Sequence, residues 1–281
     1  MSTLQSSVMG WKQTVSVRLA RHTPLQLGRG RDGRPRLVRR PGRLLHAPVF
    51  LFSSVRSGST LLRMILNSHP AVYAPHELHL TQLTAKLDNQ YVTDAMHELG
   101  FSAEELTHLL WDRVLERALT RSGKKILVEK TPHHTFMWSR IARCWPDARY
   151  LFLLRDPAAI AASWARARPQ LSPDEVHAQV DRYATAVDEA RRALPGHTVR
   201  YEDLARDAHP VIRGVCEFLG IEFDPTMLEY GRQPHGTIKA GLGDWTDRIR
   251  SGRIQTPRQI TSRESLPEDL RALAVRWGYE R

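Results

Sequence analysis

PVFLFSSVRSGSTLLRMILNSHP, residues 48–70, is the stretch whose reading decides the fold. Residues 49–52 are a short apolar run of strand formers, the pattern of a buried parallel strand. Ser53-Ser54-Val55-Arg56-Ser57-Gly58-Ser59-Thr60 follows, small and hydroxylated apart from Val55 and one arginine. From Leu61 the pattern turns helical, with Leu61, Leu62, Ile65 and Leu66 on one face. Strand, turn and helix in that order gather free helical N–H groups, a positive dipole end and several hydroxyls at one point, which binds an anion. Phosphate or sulfate is the expected guest. The plainer alternative is a Ser/Gly turn that only caps its helix, and Arg56 weighs against it. The turn is not GxxxxGK[ST], whose lysine and paired glycines it lacks, nor is it GxGxxG.

Working outward, residues 1–46 read as a basic N-terminal arm with a short helix around 11–19 and then a loop. Downstream, Pro75 breaks the chain before His76, Glu77 and His79. Ser102 is expected to cap a long helix, with Glu105 completing a capping box and Leu106, Leu109, Leu110, Val114, Leu115 and Leu119 as the buried stripe. Residues 126–128, 150–154 and 197–201 read as further strands. Helices are expected over about 135–144, after Pro157, from Ser172 to the stop at Pro195-Gly196, over 211–219 and over 267–277. Such alternation implies an α/β fold, a central parallel sheet with helices on both faces. The division expected is 1–46 as the arm and 47–281 as one domain, in which 236–263 is a long functional loop.

At 281 residues and 41% hydrophobic the chain is long enough for a sizeable core. No run approaches the roughly 18 to 20 apolar residues of a membrane span, and the first residues lack an apolar signal segment. Cys144 and Cys216 have no metal-ligand spacing and read as buried free thiols, which suits a cytoplasmic location. Of the net charge of +11, the arm carries most: ten of the 41 Lys and Arg and one of the 30 acidic residues lie in 1–46. Such an arm could meet nucleic acid, an anionic membrane or an acidic protein, or be a solvated arm.

In parallel sheets, ligands bind beyond the carboxyl ends of the strands. Three strands here end in polar groups, at 53–60, 129–134 and 155–163. Arg155 at a strand end and Ser163 two turns into the next helix could grip a further anion, the arginine offering a planar fork. Tyr201 could flank a base, and Lys239 before Gly241-Leu242-Gly243-Asp244-Trp245 offers a cation on a loop. The plainer readings are a salt-bridged Arg155, a core Tyr201 and a surface Lys239.

Taken together, these segments resemble the sulfotransferases that use 3′-phosphoadenosine 5′-phosphosulfate (PAPS) and release its desulfated form, PAP. VRSGSTLL is similar to their 5′-phosphosulfate loop and LLRDPAAIAAS to their 3′-phosphate segment. RYEDL resembles their tyrosine segment, and Lys239 with GDW their C-terminal nucleotide loop. The likeness spans about residues 48–245 in order. Arg56 stands where the cytosolic steroid- and phenol-sulfating branch has lysine, Pro132 follows Lys130-Thr131 where that branch has histidine, and Ala240 stands where it has glycine. Arg56, and Glu77 within HPAVYAPHE, look more like the tyrosylprotein branch, and APHELHL resembles sulfotransferase domains embedded in polyketide synthases.

The resemblance implies that Arg56, Ser57, Gly58, Ser59 and Thr60 hold the 5′-phosphosulfate and Arg155 and Ser163 the 3′-phosphate. Tyr201 and Lys239 would also meet the nucleotide. Lys130 would stabilise the leaving group and Glu77 would be the base, with His79, His133 and His134 as alternatives. Histidine has the natural pKa for a base, whereas a glutamate must be raised. The acceptor would be a small-molecule or carrier-bound hydroxyl in secondary metabolism, and no metal would be required. Sulfuryl transfer resembles phosphoryl transfer in resting on positioning and electrostatics. The competing classes are a P-loop-type kinase or nucleotidase, and an anion- or nucleic-acid-binding protein using the arm.

Overall fold

Residues 25–29, 35–39, 42–233, 247–256 and 263–279 are described in the structure, a computed structural model. Contacts divide the chain into residues 1–44 and 45–281.

In the first unit, β1 (Leu25–Arg29) pairs antiparallel with β2 (Pro35–Arg39), Leu27 opposite Leu37. The sequence reading had a loop there. Gly28 and Pro35 are turn signals, yet Pro35 is the first residue of its strand, where a missing N–H is tolerated. The expected helix at 11–19 lies outside the described residues.

The second unit is built on β3 (Val49–Ser53), buried along its whole length. Its side chains alternate between two cores, as strand geometry requires. Val49 and Leu51 join a cluster with Leu62, Ile65, Leu151 and Val199, while Phe50 and Phe52 join Trp111, Trp145 and Tyr150 on the other face. Apolar residues at both faces from Val49 to Phe52 are therefore needed, and the continuous run in the sequence reflects a strand covered on both sides.

From β3 the chain enters α1 (Ser59–Ser68), the two-residue strand β4 (Val72–Tyr73), α2 (Gln90–Glu98), α3 (Ala103–Ser122) and β5 (Ile126–Glu129). A 3₁₀ turn (Pro132–Met137) and α4 (Trp138–Cys144) lead to β6 (Arg149–Leu154), and α5 (Pro157–Ala167) and α6 (Pro173–Ala193) to β7 (Gly196–Arg200). Short α7 (Tyr201–Arg206) and α8 (Ala208–Leu219) follow, then α9 (Asp247–Arg250) and α10 (Glu268–Arg276). The five strands are all parallel, in the order β4-β5-β3-β6-β7. From β3 the chain works toward one edge and then returns to build the other from β6. The crevice between the ends of β3 and β6 is thus the topological switch point, where α/β sheets bind ligands.

Three details differ from the sequence reading. Tyr201 opens α7 rather than ending β7. The buried face of α3 carries Thr107, His108, Trp111, Asp112 and Leu115, while Leu110 and Val114 are exposed. The stripe is turned because polar side chains on it find partners inside: Asp112 accepts from Trp145 Nε1 at 3.0 Å and from the Leu45 N–H at 3.2 Å, and Trp111 Nε1 donates to Leu83 O at 2.7 Å. The expected single helix near 135–144 is split into the 3₁₀ turn and α4. The caps at Ser102, Ser172 and Gly220 are present, Ser172 and Glu175 forming a reciprocal capping box. Both cysteines are free and buried.

Candidate active site

The loop after β3 turns through two left-handed residues, Arg56 (φ +69°) and Gly58 (φ +92°). A Cβ on Gly58 would stand 2.3 Å from Tyr201 Cδ2, so only glycine allows the loop to lie against that ring. Ser57 is fully buried and its hydroxyl donates to Ser54 O at 2.6 Å, which spends it on the shape of the loop. No side chain caps α1, so the first N–H groups of the helix remain available to a ligand.

These residues line a cavity of about 460 Å³ that reaches from the loop across to β6. Arg56, Gly58, Ser59, Thr60, Glu77, Arg155, Ser163 and Tyr201, all singled out in the sequence, meet on its wall. The guanidinium of Arg56 donates from Nε to Ser163 Oγ at 3.1 Å. Arg155, nearly buried, donates from Nη1 to Arg56 O at 2.7 Å and lies 4.3 Å over the Tyr201 ring. Burial pushes its guanidinium below the usual value. Its Nε is buried without a hydrogen-bond partner, an orphaned donor of the kind an anion would satisfy. Two segments far apart in the chain thus present two arginines and a hydroxyl to one space.

Beyond the loop, Glu77 faces Lys130 across the end of β5. Lys130 Nζ donates to Glu77 Oε1 at 2.5 Å; the lysine is 1% and the glutamate 16% exposed. Burial pushes the Lys130 ammonium down, and Glu77 opposes that shift. The second oxygen of Glu77 lies 3.5 Å from His79 Nε2. Arg63 on α1 is buried nearby, donating to Ala74 O at 2.9 Å, with a pKa pushed down to about 10 by burial against the pull of Glu77.

The alternative bases separate by geometry. His134 is buried, accepting at Nε2 from the Leu80 N–H (2.9 Å), so that Nδ1 bears the proton and donates to Glu129 Oε2 (2.6 Å). Thr131 donates to the other oxygen of Glu129 at 2.7 Å and accepts from the Leu78 N–H at 3.1 Å. Burial pushes the Glu129 carboxyl up, and His134, Thr131 and Lys130 together hold it below its ordinary value. This buried network ties the 77–80 segment to β5, and both ring nitrogens of His134 are spent in it. His133 is exposed, its ring edge-on to Phe136 at 5.1 Å. Lys239 lies outside the described residues.

The cavity has further walls that the sequence reading missed. Arg166 stands one helical turn beyond Ser163 on α5, a spacing that should have marked it. Tyr230, Ile249, Arg253 and Gln255 close another side. Tyr230 donates to Arg253 O at 3.1 Å, and Gly231 and Gly252 touch backbone to backbone, which no local pattern announces. Among the described residues no group of three or more His, Cys, Asp or Glu could hold a metal ion, and no helix is long and apolar enough to cross a membrane.

Comparison with known proteins identifies the family and the fold. Residues 48–225 match the profile of the Sulfotransferase family. The nodulation protein NoeE of Sinorhizobium fredii is 30% identical over 125 residues, 41% of this chain and 30% of that protein. A putative protein-tyrosine sulfotransferase of Caenorhabditis briggsae is 22% identical over 65% of this chain and 68% of its own length. The chain therefore spans under a third of the first relative and about two thirds of the second. The fold is shared with the sulfotransferase domain from the curacin biosynthetic pathway (TM-score 0.62, 22% identity, 84% of this chain and 99% of that one). It is shared too with the sulfotransferase domain of the Synechococcus PCC 7002 olefin synthase (TM-score 0.63, 23% identity, 91% of this chain and 99% of that one).

Proposed function

The chain belongs to the sulfotransferase family, and from that premise we propose that it moves a sulfuryl group from PAPS to the hydroxyl of a small-molecule or carrier-bound acceptor. The observation that carries the reading is the junction of the two anion-binding segments: Arg56 bonded to Ser163, and Arg155 bonded to the backbone of Arg56. A nucleotide with phosphates at both its 5′ and 3′ ends needs two such positions at fixed separation. The orphaned Arg155 Nε and the open helix end fit it.

In this reading the N–H groups from Ser59 on, with Thr60 and Arg56, hold the 5′-phosphosulfate. Arg155, Ser163 and Arg166 hold the 3′-phosphate, and Tyr201 lies beside the nucleoside. Glu77 takes the acceptor proton at Oε2, the oxygen not engaged by Lys130. As the sulfur–oxygen bond breaks, charge grows on the leaving phosphate, and Lys130 turns from Glu77 to that oxygen. The lysine's buried, lowered pKa makes it able to give a hydrogen bond strongly there. Sulfuryl transfer of this kind proceeds by positioning and electrostatics, and we expect it to persist in EDTA. Fold likeness to sulfotransferase domains of the curacin biosynthetic pathway and of an olefin synthase supports a small-molecule or carrier-bound acceptor, and two free cysteines support a reducing, cytoplasmic site of action.

The test is a pair of ligands and one substitution. Arg155→Ala should weaken PAP by about ten- to a hundredfold, the worth of a charged hydrogen bond. Adenosine 5′-phosphosulfate, which lacks the 3′-phosphate, should lose much less. Equal losses in calorimetry would show that Arg155 does not read that phosphate, and no PAP binding by the unaltered protein would overturn the function.

A further inference from the structure

Beyond Glu77 and away from the nucleotide cavity, the structure holds a cationic and aromatic wall that the reaction as drawn does not use. It is built from the 3₁₀ turn after β5 and the facing side of α6. Phe136 packs on Tyr183 at 4.6 Å between ring centroids, and His133 stands edge-on to it. The guanidinium of Arg182 lies over the Phe136 ring at 4.5 Å. His79, in contact with Glu77, borders the same space, its side chain 44% exposed. Tyr183 feels the charge of Glu77, and burial with the nearby Arg182 pushes the His133 imidazole down, so wall and base are within electrostatic reach of each other.

Oε1 of Glu77 is paired with Lys130, and Asp181, the neighbouring acid on α6, accepts from the Thr185 hydroxyl and forms no ion pair with Arg182. Among the described residues Arg182 has the Phe136 ring as its partner and no carboxylate. Stacking on a ring restrains a guanidinium while leaving its N–H donors to other partners, which is how arginine is prepared for an oxyanion. His133 adds a ring donor beside it.

Resting on the sulfotransferase reading, we propose that the acceptor carries, besides its reacting hydroxyl, an oxyanion, carboxylate or phosphate, that pairs with Arg182 and His133 while its apolar part packs on Phe136 and Tyr183. With the hydroxyl on Glu77, the anionic end lies over this wall. The wall would then discriminate among hydroxyl compounds that the base alone accepts equally.

The experiment uses the full chain loaded with PAP and four phenols of one shape: 3-(4-hydroxyphenyl)propionate, its methyl ester, tyramine and 2-(4-hydroxyphenyl)ethyl phosphate. By calorimetry, at least one of the two anions should bind about three- to tenfold more tightly than the ester, and tyramine most weakly. The preference should shrink as salt is raised. Arg182→Glu should reverse the order and Arg182→Lys keep part of it, with PAP affinity unchanged in both. Which anion binds better tells carboxylate from phosphate. Equal binding of ester and anions, failure of both anions to bind, or a preference that survives Arg182→Glu overturns the proposal. PAP binding, measured first, reads the donor site separately, so loss of the function and loss of the acceptor preference are distinct results.

Discussion

At the scale of single residues, the base is the assignment with most at stake. Glu77 and the histidines all stand near the ends of the strands, and their local sequence does not rank them. The structure ranks them by what else each side chain must do. His134 is enclosed between Glu129 and the Leu80 N–H, so removing it should cost stability rather than chemistry. Glu77 lines the cavity, and its Oε2, 3.5 Å from His79, is not engaged by Lys130. Glu77→Gln is expected to lower kcat by about 10² to 10⁴ while PAP binding holds, the range for a positioned base. Single-turnover kinetics with PAPS would measure it; near-normal turnover in Glu77→Gln, with turnover abolished in His133→Ala, would move the base to the histidine.

At the scale of elements, the loop after β3 keeps its shape because α7 stands behind it. The Tyr201 ring occupies the place a Gly58 side chain would need, and Gly58 itself is left-handed. Gly58→Ala therefore combines backbone strain with a clash, each of order 1 to 3 kcal/mol. Relief can come only by moving the loop or the tyrosine, and both belong to the cavity. We expect a Tm lowered by several degrees together with PAP affinity reduced at least tenfold. Unchanged PAP affinity would mean that the loop does not touch the nucleotide. A second element is tied in from the far end of the chain. Arg263 donates to Asp156 at 2.7 Å and Tyr279 to Glu202 at 2.6 Å, so the residues next to Arg155 and Tyr201 are both held by the C-terminal segment.

At the scale of the whole molecule, contacts divide the chain into a basic arm and a larger body, the break falling between Leu44 and Leu45. Leu45 and Ala47 already belong to the body, their N–H groups donating to Asp112 and Asp147. Deleting residues 1–44 should leave the unfolding transition and the PAP affinity of the remainder unchanged within about twofold. A large fall in either would show that the arm is part of the folded enzyme rather than an appendage with an anionic partner of its own.

What the sequence by itself determined is whatever is written in short, contiguous patterns. The order of strands and helices follows from alternating apolar runs and caps such as Ser172, and the two segments proposed to hold anions from residues at fixed local spacing, Arg56 to Thr60 and Arg155 to Ser163. Local hydrogen bonding and periodicity decide such features, so they survive in one dimension. Only the tertiary structure decided which strands are neighbours, and hence that Arg56 and Ser163 meet 107 positions apart. It also turned the buried face of α3 toward Trp111 and Asp112, enclosed His134 while leaving Glu77 at the cavity, and brought Arg166, Tyr230 and Arg253 to the same wall. These outcomes depend on which polar groups find partners when distant segments pack, and a buried donor or acceptor is satisfied or orphaned only by residues remote in the chain.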